Sequence, residues 1–311
     1  MNLFEVKNAT NQPYASFNND DLILDIKRED LLHKEVSGNK LRKLKYNLIE
    51  AQSQGKELLI TFGGAFSNHI AATAAAGKIA GFETLGIIRG EELGVDLGQT
   101  LASNDTLATA SSSGMELKFV SRTAYRVKNE ASYLAQLKAT YPHAYIIPEG
   151  GTNKLAVKGT EEILTATDKE LYDIITVAAG TGGTAAGIIN SAGKNQHVVV
   201  FSALKGDFMR NEILKYTTRT DFEVIDETAF GGYAKSSEAL IDFMNASFRE
   251  SRIPLDPIYT AKMMYGVEQM IESGVITGKS RILAVHTGGL QSIAGFNRKL
   301  LKKGQRTIDY V

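Results

Sequence analysis

The chain has 311 residues, enough for two lobes and short for three. Its 35 basic residues equal its 35 acidic ones, which removes the electrostatic footprint that nucleic acid or an anionic membrane would require of a partner. Cysteine is absent, so disulfide frameworks, thiolate metal sites and cysteine nucleophiles are excluded.

The opening MNLFEVKNATNQ has neither a basic stretch nor an apolar one, and no later run has the unbroken apolar length that spans a bilayer. The expectation is a cytosolic protein that handles a small molecule. In chain order, the first informative segment is SGNKLRKLKYN at 37–47. Ser37, Gly38 and Asn39 read as a cap and loop, and Leu41, Leu44, Leu48 and Ile49 form the inward stripe of a helix. Lys40 and Lys43, three residues apart, then project from one face. Such a pair is ordinarily a solvated basic face. Lys40, however, stands in the first turn beside the positive end of the helix dipole, which disfavours its charged form and suits a lysine that bonds a carbonyl covalently.

Short β-branched runs at 57–62, 83–89, 116–120, 144–148, 173–179, 197–203 and 281–286 alternate with longer amphipathic or Ala-rich segments. Strands that are apolar almost throughout predict α/β architecture, with parallel twisted sheets flanked by helices on both faces. After the first of these runs comes GGAFSNH, whose Ser67 and Asn68 open the next helix with a hydroxyl and an amide beside free backbone donors. That suits a carboxylate or a phenolate, although a plain N-cap would use the same residue types. His69 has no second histidine or carboxylate at metal-ligand spacing, so no metal is expected and a packed ring is its ordinary state. The small residues from Ala71 to Ala76 predict a helix pressed closely onto its neighbour.

The run DIITVAA at 173–179 leads into a glycine turn. Gly180, Gly182 and Gly183 let backbone amides approach an anion, Thr181 and Thr184 add hydroxyls, and the helix that follows points its N-terminus at the same place. The sequence also satisfies a loose dinucleotide fingerprint, but the next strand, HVVVFSA, ends without the acid that would hold a ribose. No nucleoside-triphosphate loop occurs, which leaves a small phosphorylated cofactor. A supporting tail follows: GGY at 231–233, DPIYTAK at 256–262 and HTGG at 286–289. No repeat or low-complexity linker marks a lobe boundary.

Taken together, SGNKLRKLKYN, GGAFSNH, AGTGGTAAG, DPIYTAK and HTGG resemble the D-cysteine desulfhydrase and 1-aminocyclopropane-1-carboxylate deaminase family, over nearly the whole chain and in the right order. These are fold type II pyridoxal-phosphate enzymes, similar in architecture to the tryptophan synthase β-subunit. The resemblance implies a large lobe from 1–48 and 151–311 with a small lobe, 49–150, inserted in it, and a homodimer. It implies that Lys40 carries pyridoxal 5'-phosphate as a Schiff base and shuttles the substrate α-proton. Lys43 and the turn from Gly180 to Thr184 would hold the phosphate, and Asn68 would meet the ring oxygen. Ser67 would face the substrate carboxylate or reacting carbon, with Asn68 and His69 beside it, and Tyr233 and Tyr259 would serve as acid or base groups. Two positions separate the subfamilies. The cyclopropane-opening deaminases resemble DPxYE and carry an apolar residue before the late Gly-Gly pair; this chain has Thr260 and Thr287 at those places. A neutral hydroxyl at the pyridine nitrogen leaves a weaker electron sink, sufficient when hydrosulfide is the leaving group. The expected reaction is α,β-elimination on D-cysteine to pyruvate, ammonia and hydrogen sulfide. The cyclopropane deaminase and, more remotely, a nucleotide-binding α/β protein are the alternatives.

Overall fold

The structure, a computed structural model, describes residues 3, 5–14, 17, 21–204, 206, 208–226 and 237–310. The chain divides into two compact units: one comprises Met1–Val6, His33–Val36 and Lys40–Ala156, the other Lys7–Leu32, Ser37–Asn39 and Val157–Val311. The helix α1 (Asn39–Ser53) clusters from Lys40 onward with the smaller unit. Its buried Leu41, Leu44 and Leu48 carry the inward stripe, but Ile49 is exposed and does not belong to it.

The smaller unit is built on a four-stranded, wholly parallel sheet of β3 (Leu58–Gly64), β4 (Glu83–Arg89), β5 (Met115–Val120) and β6 (Ala144–Ile146), in the order β5-β4-β3-β6. Both faces are covered: Ile60, Phe62, Leu85 and Ile87 pack on one side, while Ile70, Ala74, Ile88 and Leu107 pack on the other. The helix α2 (Asn68–Ala80) supplies Ile70 and Ala74, and its small residues do allow the close approach expected of them. A Cβ on Gly77 would lie 2.2 Å from the Thr84 side chain.

The larger unit has six strands, β1 (Asn11–Pro13), β2 (Leu22–Lys27), β7 (Ile174–Ala179), β8 (His197–Ser202), β9 (Phe222–Asp226) and β10 (Ser280–Val285). Their order is β1-β2-β10-β7-β8-β9, parallel except for the antiparallel edge strand β1. The strand run is apolar because each face has its own core. Ile175, Val177, Val198, Val200, Leu283 and Val285 point one way, and Ala178, Val199, Phe201, Ile282 and Ala284 the other. This is the period-two pattern of a sheet buried on both sides.

In each sheet the strand order reverses at one place. In the larger unit β7 leads on to β8 and β9 on one side and has β10 on the other; in the smaller, β3 leads to β4 and β5 and has β6 on the other. Crevices outside the carboxyl ends of such strand pairs are where open α/β sheets bind ligands. Each of the four strands at these points runs into a Gly-Gly pair: Gly63-Gly64, Gly150-Gly151, Gly182-Gly183 and Gly288-Gly289.

Candidate active site

In the larger unit three distant motifs converge on Asn39. Its side-chain amide donates to Thr184 Oγ1 at 2.8 Å, and its backbone N–H donates to the Thr287 carbonyl at 3.1 Å. Gly38 makes this possible. It has a positive φ of 64°, and a Cβ there would lie 2.0 Å from the Thr287 carbonyl oxygen, so only glycine lets the two segments touch. The HTGG turn is set from behind by buried His286, whose Nδ1 accepts from the Gly288 N–H while Nε2 donates to the Pro254 carbonyl. Lys40 is the next residue in the chain after Asn39.

The turn after β7 takes the shape expected of an anion cradle. Gly182 adopts φ 75°, and Gly183 begins a nine-residue helix, Gly183–Ser191, whose first amides face outward from the turn. Thr184 is buried; having accepted from Asn39, its hydroxyl retains a proton to donate. Thr181 is exposed. Across the turn lies Tyr259: a Cβ on Gly180 would stand 3.0 Å from its ring and 3.1 Å from its hydroxyl. Tyr259 and Thr260 are presented by Asp256, whose fully buried carboxylate accepts from the N–H groups of Ile258, Tyr259 and Thr260 and from the Thr260 hydroxyl. Thr260 Oγ1 also accepts from the Asp256 N–H. Its hydroxyl proton is thus committed within its own turn, as the spacing of DPIYT alone does not reveal.

In the smaller unit the turn after β3 is closed by the Ser67 N–H donating to the Gly64 carbonyl at 3.0 Å. Ser67 stands at the N-cap position of α2, yet its side chain makes no capping bond, and among the described residues no hydrogen bond engages its hydroxyl. The plain-cap alternative therefore fails. Asn68 Oδ1 is buried without a partner among the described residues. An unmade bond at a buried amide costs about 1–3 kcal/mol, which an arriving ligand group would recover.

His69, which the resemblance put beside the substrate, is packed within the smaller unit. It is 2% exposed, its ring lies 2.8 Å from Thr61 Oγ1, and a Cβ on Gly151 would lie 2.9 Å from it. Burial first, then the charges of Lys40 and Lys43, hold its pKa well below the usual histidine range, so it is a neutral packing ring. Lys43 is also interior. Its ammonium donates to the Gly150 carbonyl and to Thr152 Oγ1, and burial followed by the charge of Lys40 lowers its pKa well below that of an ordinary lysine. Two of its three N–H groups are therefore spent on the loop after β6, which leaves one for any other partner. That loop, further held by Asn153 pairing with Asn47, was not singled out in the sequence, although its Gly-Gly pair after an apolar run was the available signal. Tyr233 lies outside the described residues.

A profile described as pyridoxal-phosphate dependent enzyme matches residues 16–288. The chain belongs to that family. The larger unit's donors suit such a cofactor: the glycine turn and the helix N-terminus after β7 offer backbone amides to a dianion. Among relatives of this pyridoxal-phosphate enzyme, an Arabidopsis thaliana protein named as a bifunctional, mitochondrial D-cysteine desulfhydrase/1-aminocyclopropane-1-carboxylate deaminase is 31% identical over 291 residues, covering 85% of this chain and 72% of that one. A Pyrococcus horikoshii protein provisionally named 1-aminocyclopropane-1-carboxylate deaminase is 31% identical over 296 residues, 89% of this chain and 87% of its own. The crystal structure of an ACC deaminase homologue superposes with a TM-score of 0.76 at 27% identity, over 97% of this chain and 95% of that one. The chain is a lyase-type pyridoxal-phosphate enzyme of the group that contains these two activities.

Proposed function

We propose that the chain catalyses α,β-elimination on a D-amino acid, with D-cysteine giving pyruvate, ammonia and hydrogen sulfide, and that Lys40 is the residue bearing the cofactor. The observation that carries this reading is the anchoring of Asn39, the residue before Lys40 in the chain, to both the Thr184 and Thr287 turns, two motifs the family resemblance assigns to the cofactor. Amides of the turn from Gly180 to Thr184 and the Thr184 hydroxyl would hold the phosphate, Lys43 would contribute its remaining N–H, and Asn68 would meet the ring oxygen. When bound, the cofactor supplies an electron sink for the charge left at the substrate α-carbon.

The remaining work falls to side chains. The amine of Lys40 takes the α-proton; Ser67, with its unused hydroxyl and the N-terminal amides of α2, grips the substrate carboxylate. Tyr259 lies against the cradle and can give a proton to the departing sulfur, and Tyr233 is assigned a related role from the family resemblance alone. One water enters and the overall change balances as D-cysteine and water to pyruvate, ammonia and hydrogen sulfide. Thr260, its hydroxyl proton held by Asp256, brings no carboxylate where the cyclopropane deaminases resemble a glutamate, and Thr287 brings a neutral hydroxyl in place of an apolar residue; the missing carboxylate favours a substrate with a good leaving group. The printed names of the relatives keep cyclopropane opening as the second reading. We take the working form to be a cytosolic homodimer, sedimenting at twice the chain mass.

Two measurements test the proposal. Lys40→Ala should remove both the visible absorbance of the bound cofactor and all turnover. Pyruvate should appear from D-cysteine, with little 2-oxobutyrate from 1-aminocyclopropane-1-carboxylate; product from the cyclopropane substrate alone would reverse the choice.

A further inference from the structure

The smaller unit holds a cavity of about 340 Å³ at the carboxyl ends of β3, β4 and β5, lined by Gly64 and Phe66 of the turn after β3, Arg89 at the end of β4, Leu93, Thr100 and Arg122. Its volume is at the lower end of small-ligand sites, and its position obeys the rule that places ligands beyond the carboxyl ends of parallel strands. Arg89 dominates its chemistry. Gly64 and Arg89 are register partners, and a Cβ on Gly64 would stand 3.6 Å from Arg89 Nη2, so the guanidinium lies back across the end of β3. The ring of Tyr125, with its centroid 5.8 Å away, steadies it. Among the described residues no carboxylate pairs with Arg89.

The other charges in the lining do not cancel it. Arg122 pairs with Glu92 at 2.7 Å, but the two side chains are 71% and 53% exposed, a pair of little worth that solvent already competes for. The balance of two cations and one anion is one positive charge. The Thr100 hydroxyl is used on the Leu93 carbonyl, so Arg89 is the recognition group. Phe66, 42% exposed, and Leu93 provide an apolar wall. A planar, oriented guanidinium beside an apolar wall suits a carboxylate on a short carbon chain, gripped by two parallel hydrogen bonds. A dianionic phosphate would want more positive charge than is present.

We propose that this cavity is a binding site for a small organic carboxylate, held by Arg89. The same segment, Gly64 to Phe66, runs directly into Ser67, so the carboxylate has two chemical sources: an acidic group on the leaving-group side of the substrate, or a separate organic acid. The first source rests on the proposed reaction and the second does not.

Calorimetric titration of the holoenzyme with glutarate separates the binding claim from the catalytic one. Saturable binding is expected, weakened about tenfold or more by Arg89→Gln, and partly retained by Arg89→Lys, which also serves if the glutamine variant does not fold. Kinetics on S-carboxymethyl-D-cysteine and S-methyl-D-cysteine distinguish the sources. A rise in KM for the carboxymethyl substrate alone in Arg89→Gln identifies the substrate's own acid; loss of glutarate binding with both substrates unchanged identifies a separate ligand. Absence of saturable glutarate binding by the wild type, its persistence in Arg89→Gln, or tighter binding of inorganic phosphate would each overturn the proposal. If neither substrate turns over, the calorimetry still decides the site while the proposed reaction fails.

Discussion

Glu268 shows how one buried group sets a pH response away from the glycine turns. The Tyr14 hydroxyl donates to its carboxylate at 2.7 Å and lies 2.9 Å from Ser247 Oγ. Burial pushes the Glu268 carboxyl up to about 7 against the pull of the Tyr14 hydrogen bond, with Glu272 and Glu250 adding to the rise. The folded state thus holds this proton more tightly than the unfolded chain, whose value is 4.5, and stability must fall as pH rises from about 4.5 to about 7. Glu268→Gln keeps an acceptor for Tyr14 and has no charge to bury. Urea unfolding should find it more stable than wild type at pH 8, by on the order of 1–2 kcal/mol once partial solvent screening is discounted, and level with it at pH 4.

At the scale of elements, the helix Thr260–Glu272 depends on one side chain at its start. Asp256 satisfies three backbone donors of that turn and the Thr260 hydroxyl, all in a fully buried position. Asp256→Ala strands those donors, and the expected cost is roughly 3 kcal/mol or more in chemical denaturation. The same change releases Tyr259 from its place against Gly180, so turnover should fall further than the loss of folded protein explains. Equal losses in activity and folded fraction would show that Tyr259 takes no part in the reaction. Elements also limit each other through glycine. The helix at Gly183 lies close to its neighbour because Gly187 has no Cβ; one there would lie 2.1 Å from Thr160 Oγ1.

For the whole molecule, the cofactor links folding to function. A ligand that binds only the native state adds about 2.7 kcal/mol of stability at a hundredfold excess over its dissociation constant. Stripping pyridoxal phosphate from this family member should therefore lower the thermal midpoint in scanning calorimetry, and adding it back should restore the midpoint in a concentration-dependent way. Lys40→Ala should show a smaller increment at the same concentration. A midpoint indifferent to the cofactor would mean that the glycine turn does not hold it.

Backbone chemistry and pattern were legible from the residues alone. Apolar runs marked seven strands within a few residues of their positions, because a strand buried on both faces is hydrophobic throughout. The turn after β7 was legible because glycines between an apolar run and a helix mark a tight turn, and Gly182 does take the positive φ such a turn requires. The missed strands are those whose pattern is not apolar: β1 is an edge of three residues, β9 is the opposite edge, and β2 places Lys27 in the interior. Lys27 is tolerable there only because Asp168, 141 residues later, sits 2.6 Å from its ammonium. Partners at that separation are set by tertiary packing. The same reason governs the candidate site. Sequence named Lys40, Ser67, Asn68 and the glycine turn from local chemistry, but it could not tell that Ser67 leaves its cap unused or that Lys43 and His69 turn inward to the loop after β6. Nor could it tell that Asn39 joins two motifs 103 residues apart, Thr184 and Thr287, because each of those facts depends on which distant backbone atoms a side chain meets.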